Sequence, residues 1–100
     1  MGFGLPASIG AKIANRDREV VCISGDGGLQ MNIQELQWIV RDQVPVTIIV
    51  LNNNSLGLIR QQQDDFFDKK HYGATAQYGF SSPSFAKLAI TAPFLVSLKL

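Results

Sequence analysis

Asp26 and Asn53 stand 27 positions apart, and each comes shortly after an apolar run of the kind that forms a strand. The first run is Val20-Val21-Cys22-Ile23, leading into Ser24-Gly25-Asp26; the second is Val46 through Leu51, leading into Asn52-Asn53. A carboxylate is a hard anionic oxygen donor and a side-chain amide a neutral one, a pairing that suits Mg²⁺. Gly25, Gly27 and Gly28 let the backbone approach a ligand closely, and the helix predicted after them would offer free N–H groups to a phosphate. If the two strands are parallel neighbours, their carboxyl ends lie about 5 Å apart, on the edge where open α/β sheets bind ligands. A diphosphate bridged by Mg²⁺ suits that edge. Taken singly, Gly-Asp-Gly is more often a turn and Asn-Asn a loop cap. The weight comes from both falling at one edge with a helix-length spacer.

The elements that must hold these residues follow from periodicity. Pro6 suits the first turn of a helix, where its missing N–H costs nothing, and Ile9 and Ile13 share one face of the stretch that ends at Ala14. Asn15 to Arg18 is a polar turn. The Val20–Ile23 run is too short for a helix, is rich in β-branched residues and predicts a strand covered on both faces. Ile33, Leu36, Trp38, Ile39 and Val40 follow helical spacing, with Asn32 as N-cap and Glu35 at the third position. Pro45 ends that segment, and Val46–Leu51 is the second strand. Leu56 to Phe67 begins another helix, residues 68–84 form a polar loop, and Ser84 to Ala89 is helical again. The outcome is a parallel strand–helix–strand unit, and two strands alone do not make a stable sheet.

Composition narrows the function classes. One hundred residues leave room for one compact domain. With 46% hydrophobic and 17% charged residues, the chain has a packed core rather than a disordered one. A net charge of +1 gives no basic face for nucleic acid. The longest apolar stretch, Val44 to Leu51, is far short of the roughly 20 residues that span a bilayer. Cys22 is the single cysteine, which fits a reducing compartment and a cytoplasmic protein.

At the Gly-Asp-Gly and Asn-Asn positions the sequence resembles the thiamine-diphosphate-dependent 2-keto acid enzymes, and among them the large subunits of acetolactate synthases. The family's signature is Gly-Asp-Gly, a spacer of similar length, then Asn-Asn after a hydrophobic strand. Here it reads Gly25-Asp26-Gly27-Gly28 through Leu36, then Val46 through Asn52-Asn53. Met1-Gly2-Phe3-Gly4-Leu5-Pro6-Ala7 also resembles the family's segment beside the thiazolium ring. The resemblance runs from residue 1 to about Ala89. It implies an α/β fold, a partial doubly wound parallel sheet that is a truncated thiamine-diphosphate-binding fold. Residues 1–89 would be a partial domain for thiamine diphosphate and Mg²⁺, and residues 90–100 an atypical C-terminal tail. By position, the Asp26 carboxylate, the Asn53 side-chain oxygen and the Ser55 backbone carbonyl would ligate Mg²⁺. Gly25, Gly27 and Gly28 would meet the diphosphate, with Gly57 near it. Met1 would be the apolar residue that holds the cofactor bent. The parent enzyme would decarboxylate or ligate 2-keto acids as a homo-oligomer, with its site built between two subunits.

Three departures from the family pattern bear on function. The family's catalytic glutamate lies in a separate domain, and neither Glu19 nor Glu35 matches its role, so no catalytic residue is assigned. Acetolactate synthases that make branched-chain precursors have Gln-Trp-Gln where this chain has Gln61-Gln62-Gln63. The tail from Ile90 to Leu100 is unlike the polar, glycine-bearing continuation of the family's helix. Two alternatives therefore stand beside an acetolactate synthase-like fragment: a non-catalytic binding or assembly module, and another 2-keto acid decarboxylase of the family. A third, an unrelated doubly wound nucleotide-binding domain, is weakened by the Asn52-Asn53 pair. His71 reads as a solvated loop residue, Cys22 as a small core residue, Trp38 as a packing residue and Arg60 as an exposed helix arginine or a contact to a substrate carboxylate or a neighbouring subunit.

Overall fold

Three parallel strands in the order β1-β2-β3 form the sheet of this computed structural model, which describes residues 1–91 and 95–99, with side chains through residue 88. Helix α1 spans Gly4–Ala14, β1 Val21–Gly25, α2 Asp26–Gln30, α3 Glu35–Arg41, β2 Thr47–Asn52, α4 Gly57–Phe66, α5 Phe85–Thr91 and β3 Leu95–Lys99. A 3₁₀ turn over Ala76–Tyr78 interrupts the connection between α4 and α5. The β1–β2 ladder runs from Val21 opposite Thr47 to Gly25 opposite Leu51, so the parallel pairing expected of the two apolar runs is present.

Two boundaries differ from the sequence expectation. The chain turns straight from β1 into α2, so Asp26 is a helical residue rather than a loop residue. The crossover is two short helices instead of one, and α3 starts at Glu35 with Gln34 as its N-cap. Asn32 is not the cap: its Oδ1 accepts from Gln34 Nε2 at 3.2 Å and its Nδ2 donates to the Gly2 carbonyl at 2.7 Å.

The sequence predicts two strands, and the structure has a third. β3 lies beside β2 from Leu95 opposite Ile48 to Lys99 opposite Asn52, within the stretch expected to be an atypical tail. Leu95-Val96-Ser97-Leu98 is an apolar run of strand length. Residues 92–94 and 100 of that tail lie outside the described residues.

The core sits on one face of the sheet. Cys22, Ile48 and Val50 point into it and meet Leu5 and Ile9 of α1, Leu29 of α2, Leu36 and Ile39 of α3 and Phe85 of α5. Strand side chains alternate between faces, and the opposite face is bare in this chain: Val21 is 53% and Ile23 64% exposed. The expectation that the first strand is covered on both faces is therefore corrected. Its apolar residues suit two cover layers, but the helices with buried residues all pack on one side. Helix α4 contributes no buried residue. Among the described residues, no helix is long and apolar enough to cross a membrane.

Candidate functional site

Because Gly25 and Leu51 are the last paired residues of β1 and β2, the chain leaves both strands at the same edge. Gly25 is extended (φ −71°, ψ 159°) and serves as the N-cap of α2. Asp26, Gly27 and Gly28 thus fall in the first helical turn, where backbone N–H groups lack helical partners. Asn53 follows β2 directly. Met1, Gly25, Asp26, Gly27, Gly28, Asn53, Ser55 and Gly57 all line one cleft of about 420 Å³. Every residue that the sequence put forward for cofactor or metal is in that lining. Leu51, Leu56 and Leu58 complete it.

Asp26 is 2% exposed, and its Oδ2 is buried without a hydrogen-bond partner. Leaving a buried carboxylate oxygen unpaired is costly unless a cation or donor meets it. Asn53 Oδ1 accepts the Ser55 N–H at 3.0 Å, a local turn that leaves the oxygen a second lone pair. Ser55 is itself buried, and its Oγ donates to the Ala74 carbonyl at 3.0 Å. The same carbonyl accepts the Leu56 N–H at 2.9 Å. The donor set the resemblance implies, the Asp26 carboxylate, the Asn53 amide oxygen and the Ser55 carbonyl, consists of hard oxygen donors from residues of this lining. That set fits Mg²⁺, which keeps its remaining positions for phosphate oxygens and water.

Two glycines have a demonstrable steric reason. A Cβ on Gly27 would collide with Cδ2 of Leu56, so with any larger residue there the Leu56 side chain must move aside. Gly2 has φ +80°, and a Cβ there would sit 2.8 Å from Asn32 Nδ2. With the Asn32–Gly2 hydrogen bond, this fixes the segment that carries Met1, which is 65% exposed at the cleft.

The other singled-out residues separate from the site. Cys22 is a buried free thiol in the core. Arg60 is exposed on α4 and does not belong to the lining. Glu19 precedes β1 at its amino end and Glu35 opens α3; neither lines the cleft. Trp38 is 37% exposed rather than packed and borders a second cleft of about 480 Å³ with Lys12, Arg16 and Asp42. Lys12 Nζ is committed there to the Arg16 and Arg18 carbonyls, each at 2.6 Å. Next to that cleft, hydrogen bonding to Arg41 holds the Asp42 carboxyl below its ordinary range. His71 departs from the expectation of a free solvated ring: its Nε2 lies 2.6 Å from Asp64 Oδ1.

Two participants escaped sequence reasoning. Leu56 reads as an ordinary start of a helix, and only its contact with Gly27 reveals a role. Ala74, the acceptor for Ser55 and Leu56, lies 19 residues from Ser55 in a polar loop with no periodic signal.

Residues 1–94 match the family model described as thiamine pyrophosphate enzyme, C-terminal TPP binding domain. Acetolactate synthase isozyme 1 large subunit of Escherichia coli K12 is 55% identical over 75 residues, which are 75% of this chain and 13% of that protein. Acetolactate synthase large subunit of Haemophilus influenzae is 48% identical over 89 residues, 89% of this chain and 15% of that protein. Among solved structures, the thiamine diphosphate-dependent 4-hydroxybenzoylformate decarboxylase of Rhodococcus jostii RHA1 superposes with a TM-score of 0.73 at 34% identity, over 90% of this chain and 16% of that one. The chain thus spans between 13% and 16% of the length of these proteins.

Proposed function

The chain belongs to the family of C-terminal thiamine pyrophosphate-binding domains of thiamine pyrophosphate enzymes, and on that premise we propose that it grips the cofactor's diphosphate through Mg²⁺. The observation that carries the metal bridge is Asp26 Oδ2, buried and without a partner in the cleft that Asn53 and Ser55 also line. In this reading the Asp26 carboxylate, the Asn53 amide oxygen and the Ser55 carbonyl hold the ion. The backbone N–H groups of Gly27 and Gly28 face the diphosphate, Gly25 and Gly57 give it room, and Met1 supports the cofactor's body. The cofactor supplies an electron sink for loss of carbon dioxide from a 2-keto acid; the protein supplies binding and orientation.

Asp26 is the one titratable side chain in the lining among the described residues. The chain's own share of the work is therefore to hold rather than to move protons. The parent activity we infer is decarboxylation or carboligation of 2-keto acids in an acetolactate synthase-like homo-oligomer. Residues 1–89 form the cofactor-holding unit, and residues 90–100 follow it as an atypical C-terminal tail. Support for the acetolactate synthase branch comes from the identity to large subunits of that enzyme.

Calorimetric titration with thiamine diphosphate, with Mg²⁺ and then with a chelator, tests the metal bridge. Binding that needs the ion is expected. Equal binding in chelator removes the bridge.

A further inference from the structure

We propose that His71 and Asp64 form a clasp that orients the Ser55 carbonyl; its consequence for the cofactor rests on the function proposed above. The peptide unit joining Ser55 to Leu56 is planar and trans, so its N–H and C=O point in opposite directions. The Leu56 N–H donates to the Ala74 carbonyl at 2.9 Å. That bond directs the Ser55 carbonyl away from Ala74. Ser55 Oγ donates to the same carbonyl at 3.0 Å, and Ser55 forms a bridge with Thr75. The orientation of the proposed metal-binding carbonyl is thus set by where residue 74 sits.

Residue 74 is held in turn by His71. The Ala74 N–H donates to the His71 carbonyl at 3.0 Å, and Ala74 is fully buried. The His71 ring meets Asp64 at 2.6 Å and stands edge-on to Tyr78, whose ring also packs against Tyr72. Gln63 adds one more tie, from Nε2 to the Tyr72 carbonyl at 3.0 Å. Asp64 and Gln63 are on α4, which begins at Gly57, directly after Leu56. The chain from Ser55 through α4 and back to Thr75 is therefore a closed ring. Helix α4 has no buried residue to fix its position, so side-chain ties such as His71–Asp64 carry that task. An exposed polar contact with no such connection would be worth little. Here the pair closes the ring that aims a ligand.

Amide hydrogen exchange of this chain, without cofactor, tests the clasp directly. His71→Ala and Asp64→Ala should each speed exchange at the Leu56 and Ala74 amides by about tenfold or more, while the Val50 amide in β2 keeps its protection. Asp64→Asn, which retains an acceptor for the ring N–H, should restore most of the protection. The double alanine variant should be no worse than either single one, as expected for partners in one interaction. In the presence of Mg²⁺, thiamine diphosphate affinity should fall several-fold in both alanine variants and recover in Asp64→Asn. Unchanged exchange at Leu56 in His71→Ala overturns the clasp. So does a loss that extends equally to Val50, because the pair would then support the whole fold. If the unaltered chain shows no metal-dependent binding, the proposed function fails, and the exchange data still decide the clasp.

Discussion

Asp26 lies one residue beyond Gly25 and Asn53 two residues beyond Leu51, and Gly25 and Leu51 are the last pair of the β1–β2 ladder. Two oxygen donors separated by a whole crossover are brought to one edge by strand register alone. Any shift of that register would separate them, so the apolar residues that fix it also serve the site. Cys22 is paired with Ile48, and Val50 follows two residues on, which places the buried side chains of both strands on one face.

Asp26 should be a residue that costs stability and supplies binding. Its Oδ2 is buried without a partner, and an unsatisfied group of that kind costs about 1–3 kcal/mol or more when charged. Asp26→Asn keeps the shape and removes the charge. In urea melts without metal, the variant is expected to be at least as stable as the parent. With Mg²⁺ and thiamine diphosphate the parent should gain stability, and the variant should gain none. A variant that melts earlier than the parent without metal, or still responds to metal plus cofactor, would contradict the assignment of Asp26.

Gly27 makes a different prediction, because its contact is with a movable side chain. A methyl group there meets Cδ2 of Leu56, the far end of a flexible side chain that lines the cleft. Gly27→Ala should therefore cost little stability, about 1 kcal/mol or less, while pushing Leu56 into the space for the diphosphate. Calorimetry should show cofactor affinity falling by tenfold or more, on the order of 1.4 kcal/mol. Adding Leu56→Ala in the same chain should recover part of it. If Gly27→Ala binds normally, the close approach of the loop to α2 has no bearing on the ligand.

How much of this was legible beforehand differed from element to element. The runs around Val21 and Ile48 announced strands because β-branched residues are crowded into too few positions for a helix. Asp26 and Asn53 were legible because each sits where an apolar run stops. Asn32 was misread because an asparagine before a helical pattern has two uses, and its bonds to Gln34 and to Gly2, 30 positions away, decided between them. β3 was missed because Leu95–Leu98 is short and follows Pro93, and nothing local says that it pairs with β2. The His71–Asp64 contact was illegible for a similar reason: it depends on how the chain turns back after α4 through Asp68 and Lys69, both with positive φ.

The bare sheet face predicts self-association. Val21 and Ile23 are more than half exposed and Leu51 is 37% exposed, all on strands with apolar neighbours. Contiguous apolar surface of this kind drives association of soluble chains. Sedimentation velocity should show a concentration-dependent increase in size for this chain. Ile23→Thr keeps a β-branched side chain and should reduce that increase, with stability changed by roughly 0.5 kcal/mol or less. A fully monomeric parent at high concentration would show that the face is tolerated in water.

The last expectation concerns chemistry. With saturating thiamine diphosphate and Mg²⁺, this chain alone should release no measurable carbon dioxide from pyruvate. Activating the cofactor needs a proton-transfer group against its ring, and a general acid or base must lie within about 3 Å of the atom it serves. Asp26 is the one titratable side chain in the cleft lining among the described residues, and its proposed task is to hold the metal. Glu19 lies ahead of β1, at the opposite end of that strand, and Glu35 begins α3 away from the lining. The cleft is also shallow on the side of Met1 and Leu58, which are 65% and 73% exposed. Water would therefore reach a substrate held there. The assay should include Asp26→Ala as a control for traces of contaminating enzyme. Turnover that persists in the control is contamination. Turnover that disappears with Asp26 would mean that the cleft as it stands suffices for catalysis, and that the residues assigned here only to holding the cofactor also activate it.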